Sequence, residues 1–369
     1  MKTQEKRDVR LMSLDALRGF DMLFIMGLAG WIVSVCDFFP DSAIMQWLSG
    51  QMEHVKWNGL THHDTIFPLF LFVAGISFPF SFAKQRASGK SMQSIYCKII
   101  KRGLVLVLLG FVYNGIFKLD FENMRYASVL GRIGLAWMFA ALLFVSFKTK
   151  INIVISIVIL VGYWLLLWLV PGTTDPFSLE NNLVGKIDMV ILPGRLHEGF
   201  FDPEGLFSTL PAIITAILGM FTGQFVQLSE EQYSGRKKVV YMLIAATALI
   251  LIGWLWGYAF PINKKLWTSS FVCVVAGYSL LMFALFYYII DVKGYSKWSF
   301  FFRIVGLNSI TIYLAQRIVN FGQISDFFLG GIASRCSESL AVFVNATGYI
   351  AVCWLFLYFL YKKKIFLKV

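Results

Sequence analysis

At 369 residues, with 58% hydrophobic and only 15% charged positions, the chain carries far more apolar surface than one water-soluble core of this length can hide. That excludes a soluble globular enzyme and predicts a polytopic membrane protein. The formal charge of +12 is accounted for by loop topology and anionic lipid, so membrane lipid is an expected partner and nucleic acid is not.

A bilayer crossing takes about 20 mostly apolar residues. Ten runs qualify: 14–35, 64–83, 99–117, 126–147, 151–170, 207–228, 238–260, 268–290, 301–320 and 340–361. Lipid offers backbone N–H and C=O groups no partners, so each run is expected to be helical and the fold class all-α, a polytopic transmembrane helical bundle. Residues 1–369 read as a single integral membrane domain. Lys2, Lys6, Arg7 and Arg10, the loops around Lys84–Arg102, Lys148–Lys150, Arg236–Lys238 and Lys293–Lys297, and the tail Lys362–Lys368 place twenty-one Lys and Arg on one side against eight on the other. This bias predicts both termini in the cytoplasm. The first run is long and has no small-residue cleavage site, which predicts an uncleaved anchor. Five scattered cysteines without a CxxC pair predict neither a disulfide framework nor a metal site.

The first span opens with Ser13-Leu-Asp15-Ala-Leu-Arg18-Gly-Phe-Asp21, where Asp15, Arg18 and Asp21 recur every third residue and share a helix face. Ionisable groups within a span are costly unless paired or wet, and they mark sites. Two readings stand: an Asp15–Arg18 clasp with a snorkelling Arg18, or an anion pocket in which Arg18 meets a phosphate-bearing ligand entering from the cytoplasm.

The outer loop 36–63, with a short surface helix expected over 41–53, leads into His54-Val-Lys-Trp-Asn-Gly-Leu-Thr-His-His-Asp64, which holds three of the four histidines. An imidazole at the membrane boundary can take a proton from an amine or hydroxyl, or attack an acyl donor itself. Asn58 can orient it or donate to an oxyanion, and Trp57 offers a stacking face to a sugar or an adenine. The bland alternative is that all three histidines are interfacial polar residues. His62 and His63 are adjacent and lack metal-ligand spacing. Asp64 suits the positive end of the second span's dipole, and Pro68, Gly75 and Pro79 predict that this span is kinked and closely packed.

Arg132 lies level with His54 as a candidate wall of the same cavity. The segment from Pro171 to Leu206 is too long for a plain connection and reads as a lid or acceptor surface, with Glu204 as a helix cap or a ligand contact. Outer loops 36–63 and 171–206 are therefore expected to contribute to the site. In Pro261-Ile-Asn263-Lys264-Lys265-Leu-Trp267, two lysines defy the charge bias; they read as recognition of an anionic acceptor or as an ordinary belt turn. The ninth span carries Asn308, Ser309, Gln316, Arg317 and Asn320. Asn308 with Ser309 fits interhelical hydrogen bonding, while the later three exceed what packing requires.

Six segments in order, Ser13–Gly19, His54–Thr61 continuing through Phe67-Pro68, Val129–Gly134, Asp202–Gly205, Pro261–Trp267 and Gly306–Ser309, make the chain resemble the heparan-α-glucosaminide N-acetyltransferases and their bacterial homologues over nearly its whole length. The resemblance implies an enzyme of a bacterial inner membrane. Such an enzyme moves acetyl from cytoplasmic acetyl-CoA, its co-substrate, to the amino group of an extracytoplasmic amino sugar or glycan, with a homodimer among the assemblies to look for. It implies catalysis by His54, the histidine ahead of Trp-Asn-Gly. Asn58 and Asp64 are expected to support it, with Asp15, Arg18, Arg132, Asn308 and Arg317 on the acetyl-CoA and Trp57, Glu204, Asn263 and Lys264 on the acceptor. One departure stands out: where the lysosomal member has an asparagine late in its first span, this chain reads Gly27-Leu-Ala-Gly30, and Asn58 is the substitute. The rival readings are O-acetylation of a surface or cell-wall glycan, and transport of an anionic solute along Arg18, Arg132 and Arg317. Because Arg18 and His54 fall at opposite faces of a core about 30 Å thick, the enzymatic reading requires a polar channel between spans one, two, four and nine.

Overall fold

The computed structural model describes residues 11–367, and every regular element within them is a helix. Lys2, Lys6, Arg7, Arg10 and Lys368, which enter the orientation count, lie outside the described residues. Helix α1 (Met12–Leu23) passes through a π-helical turn, Phe24–Leu28, into α2 (Ala29–Cys36). Gly27 sits in that turn at φ 126°, a conformation a side chain would strain. The surface helix α3 (Ala43–Gln51) precedes α4 (His62–Ala87), α5 (Met92–Tyr113), α6 (Val129–Ser146) and α7 (Thr149–Leu169). A short α8 (Leu183–Ile191) lies inside the long segment before α9 (Thr209–Val226), α10 (Gly235–Trp256) and α11 (Ser269–Tyr287). The chain finishes with α12 (Phe300–Leu307), α13 (Ser309–Ile318), α14 (Phe321–Ala333) and α15 (Glu338–Lys362).

Eight helices among the described residues are long and apolar enough to cross a membrane, against the ten runs read from the sequence. The two that drop out do so for visible reasons. The run 99–117 belongs to α5, a 22-residue helix whose first half carries Lys98, Lys101 and Arg102. The run 301–320 breaks at Asn308, where φ −128° and ψ 31° leave the helical region. Asn308 bridges its own break, its Nδ2 donating to Ile365 O at 3.1 Å.

Helix α4 lies at the centre. Phe67, Leu71 and Phe78 pack into a core with residues of α6, α9 and α11, while Leu69, Phe72, Val73 and Ile76 pack with α1, α10 and α11. Close approach of backbones fixes these crossings. A Cβ on Gly19 would meet the carbonyl of Phe302, and one on Gly306 the carbonyl of Asp15, so α1 and α12 touch backbone to backbone. Around the outside, α7, α10 and α15 expose Val158, Leu166, Ile244, Leu255, Leu355 and Phe359, the apolar surface that lipid covers.

Candidate functional site

The geometry of the His54 stretch follows from how α4 begins. Thr61 is the N-cap and Asp64 stands at N3, where its Oδ2 accepts the Thr61 N–H at 3.3 Å and the Thr61 hydroxyl at 2.9 Å. The same oxygen accepts the Val55 N–H at 3.3 Å, which draws the preceding loop back over the helix end. The other oxygen, Oδ1, faces His54 Nδ1 at 2.8 Å. Asp64 is buried, with 1% of its side chain exposed, whereas the His54 side chain is 54% exposed. A buried carboxylate thus orients a half-open imidazole through Nδ1, and among the described residues Nε2 has no partner. This is the arrangement by which a histidine base is held in one tautomer.

A second loop completes the constellation. The turn 261–268 is joined to the His54 loop by the Gly59 N–H donating to Ile262 O at 2.8 Å and by Asn263 Nδ2 donating to Asn58 Oδ1 at 3.0 Å. Asn263 is fully buried, and its Oδ1 accepts the Leu266 N–H at 2.8 Å, so it ties the two loops together. Lys264 then reaches Asp64 Oδ1 at 3.3 Å and stands 3.1 Å from His54 Nδ1. Burial pulls the Lys264 ammonium below its ordinary range, with Asp64 and Glu204 acting against that trend.

The segments 36–63 and 171–206 touch here. Trp57 donates from Nε1 to Phe177 O at 2.8 Å and packs edge-on against Phe201, so it fastens the long segment down. Lys265 pairs with Glu198 at 2.6 Å. Arg125 grips Asp202 through two hydrogen bonds of 2.7 and 2.6 Å and also pairs with Glu204. Burial works against the charge on Arg125, but these two carboxylates outweigh it and hold its pKa above the ordinary guanidinium range.

Arg132 is buried behind this wall; it donates to Gly205 O at 3.0 Å and to Ser208 Oγ, and its guanidinium lies 5.1 Å from the Trp267 ring centre. Arg132 therefore belongs to the His54 end, apart from Arg18. Arg317, exposed at the end of α13, lies over Tyr113, the last residue of α5 and the end opposite Lys98. Asn308, closing the α12–α13 break, is buried against the C-terminal tail. Of the five residues expected on acetyl-CoA, the structure brings together Asp15 and Arg18 and disperses the other three.

At the other end of the bundle, Arg18 lies 3.6 Å from Asp15 and donates to Ser77 Oγ at 3.2 Å. They line a cavity of about 320 Å³ together with Leu14, Phe80 and Arg102. Arg102 also lines an adjoining cavity of about 490 Å³ with Lys90, Lys98, Lys101 and Trp137. Its guanidinium stacks 4.2 Å from the Trp137 ring centre. In the sequence Arg102 closes the stretch Lys84–Arg102, the most basic in the chain, which suits lipid headgroups or an acidic cytoplasmic ligand; nothing there separates Arg102 from Lys98 and Lys101 beside it. Arg125 gave no local signal, since its partners lie 77 and 79 residues away.

Between the two ends, α1, α4, α6 and α13 enclose a small cavity of about 40 Å³, lined by Met22, Phe67, Phe70, Ile133 and Tyr313 among others. The space lies where a polar channel was required, but its walls are apolar, because the inward residues of these helices are Met, Ile, Leu and Phe. Since Arg18 faces Ser77 and Met22 faces Phe67 and Phe70, α1 and α4 run antiparallel, and the basic cavity, the apolar one and His54 follow one another along the same pair of helices.

No family model matches the chain. A curated heparan-alpha-glucosaminide N-acetyltransferase of Homo sapiens is 26% identical over 424 residues, an alignment covering 98% of this chain and 60% of that protein. Its namesake of Mus musculus is also 26% identical, over 380 residues, covering 86% of this chain and 56% of its own length. The chain therefore spans about 60% of the length of the curated relatives it matches, and the relationship to them is a distant family one.

Proposed function

We propose that, like the distant N-acetyltransferase relatives, the chain is a membrane acetyltransferase that takes acetyl from acetyl-CoA bound at the Arg18 end and delivers it to the amino group of an amino sugar at the His54 end. The observation that carries the reading is the pairing of half-open His54 with buried Asp64 at 2.8 Å on the helix whose other end borders the basic cavities. Arg18, Arg102, Lys98 and Lys101 suit the CoA phosphates. From Ser77 to Asp64 is thirteen residues of helix, about 20 Å at the α-helical rise, a distance the extended arm of CoA covers. The polar channel required above is absent among the described residues, where the cavity between the ends is small and apolar, so the reading requires the helices to part before the arm can pass.

At His54 the chemistry needs one lone pair. Nε2 accepts the proton as the sugar nitrogen attacks the thioester carbonyl; a C–N bond forms, the C–S bond breaks, and CoA leaves as a thiolate that takes up a proton. Alternatively Nε2 itself displaces the thiolate and passes the acetyl on to the amine. Asp64 holds Nδ1–H and stabilises the positive ring in both routes. The transporter reading has less support: among the described residues Arg18 meets Asp15 and Ser77, Arg132 meets Gly205 and Ser208, and Arg317 lies over Tyr113, so the three line no common path.

Transfer of radiolabelled acetyl from acetyl-CoA to glucosamine by the protein in lipid nanodiscs tests the proposal. His54→Ala is expected to abolish it. Transfer that survives this substitution, or label that goes only to hydroxyls of N-acetylated sugars, overturns the reading.

A further inference from the structure

Lys264 presents a hydrogen-bonding conflict whose resolution assigns it a role. Its Nζ is 3.1 Å from His54 Nδ1 and 3.3 Å from Asp64 Oδ1, and those two atoms are 2.8 Å from each other. An ammonium only donates, a carboxylate only accepts, and a neutral ring nitrogen does one or the other. If Nδ1 presented its lone pair to Lys264, that lone pair would also face Asp64 Oδ1 at 2.8 Å, acceptor against acceptor. Oδ2 already takes Val55 N–H and Thr61 N–H, with the Thr61 hydroxyl, whose proton is shared with Glu53 O, 2.9 Å away, so the carboxylate is not free to turn away. The arrangement that satisfies every atom puts the proton on Nδ1, lets both Nδ1–H and Lys264 donate to Oδ1, and leaves the Lys264–Nδ1 contact purely electrostatic.

We infer that Lys264 is a positioning residue for His54: it anchors Asp64 Oδ1 and fixes the ring proton on Nδ1, so that the lone pair lies on Nε2. The role rests on the reading of His54 as the acyl-transfer residue, and it differs from contact with the acceptor. Charged and titratable groups act on the pair from several elements: Asp64 and His63 from α4, Glu204 from the long segment and Arg132 from α6. Lys264 and Asp64 touch the ring's Nδ1 directly, so removing the lysine takes away one of the groups that hold Asp64 Oδ1 against it.

The test is nuclear magnetic resonance of the full chain carrying ¹³C,¹⁵N-histidine in nanodiscs; with four histidines, His54→Gln assigns the signal. Nitrogen shifts of the wild type are expected to report the Nδ1–H tautomer. Lys264→Met is expected to release the ring into a mixture of both tautomers, and Lys264→Arg to keep the Nδ1–H form. An Nε2–H tautomer in the wild type, or an Nδ1–H form that persists unmixed in Lys264→Met and in Lys264→Gln, overturns the inference. The wild-type tautomer needs no variant to fold, and none of these readings needs acetyl transfer, so failure here is distinct from failure of the His54→Ala assay.

Discussion

Asp64 works because its two oxygens are divided between tasks. Oδ2 holds the loop and the helix start, and that fixes where Oδ1 meets His54, so the caps of α4 and the imidazole are set by one side chain. Asp188 shows a carboxylate in the opposite situation. Its Oδ1 accepts the N–H groups of Leu206 and Phe207 at 2.9 and 3.2 Å, while its buried Oδ2 has no partner. Burial raises its pKa from 3.8 to about 6 against the pull of those N–H groups and of Arg132. The folded protein therefore holds this proton more tightly than the unfolded chain does. The resulting stabilisation is complete below about pH 4 and is lost as pH rises through 6, with a size on the order of 2–3 kcal/mol. Thermal unfolding in detergent is expected to show a midpoint that falls across that window in the wild type and is nearly flat in Asp188→Asn. An equal fall in both proteins would show that the proton is held elsewhere.

At the scale of elements, the two ends of α1 and α4 stay in register because neighbouring helices approach them at glycine. Gly306 lies against the Asp15 carbonyl and the Gly19 N–H, in the turn of α1 that carries Arg18. Gly306→Leu must push α12 off α1, a cost of about 1–3 kcal/mol for overpacking. The expected result is a lower unfolding temperature together with weaker acetyl-CoA binding. Gly162→Leu on α7, where an added Cβ meets nothing within 4 Å, serves as the control. Equal losses in the two variants would remove the crossing as the explanation. The same local view explains the span count. Hydropathy over a window of 20 residues does not register that Asn308 departs from helical φ and ψ, since the break is held by Ile365, 57 residues away.

Across the whole molecule, the division into a basic end and a histidine end predicts how substrates are distinguished. Arg102 lines both basic cavities and stacks on Trp137, so Arg102→Gln is expected to raise KM for acetyl-CoA about tenfold, as loss of a charge-assisted hydrogen bond does. KM for acetyl-pantetheine, which carries no phosphate, is expected to stay unchanged in the same variant. A matching loss with both donors would place the phosphates elsewhere. What the sequence by itself determined is what local pattern encodes. The all-helical membrane class follows from runs of apolar residues, because lipid forces such runs into helices. The stretch 54–64 stands out because it gathers three of the four histidines in an apolar chain, the resemblance singles out His54 among them, and Asp64 stands out because it falls within the first turn of a span. Only the tertiary structure decided which charges serve together. It brought Lys264 onto Asp64 across 200 residues, moved Arg132 and Arg317 away from Arg18, put Arg102 beside it, and made the space between the ends apolar. Hydrogen bonds and ion pairs act over about 3 Å, so their partners are fixed by helix crossings and loop docking, and periodicity along the chain carries no record of those.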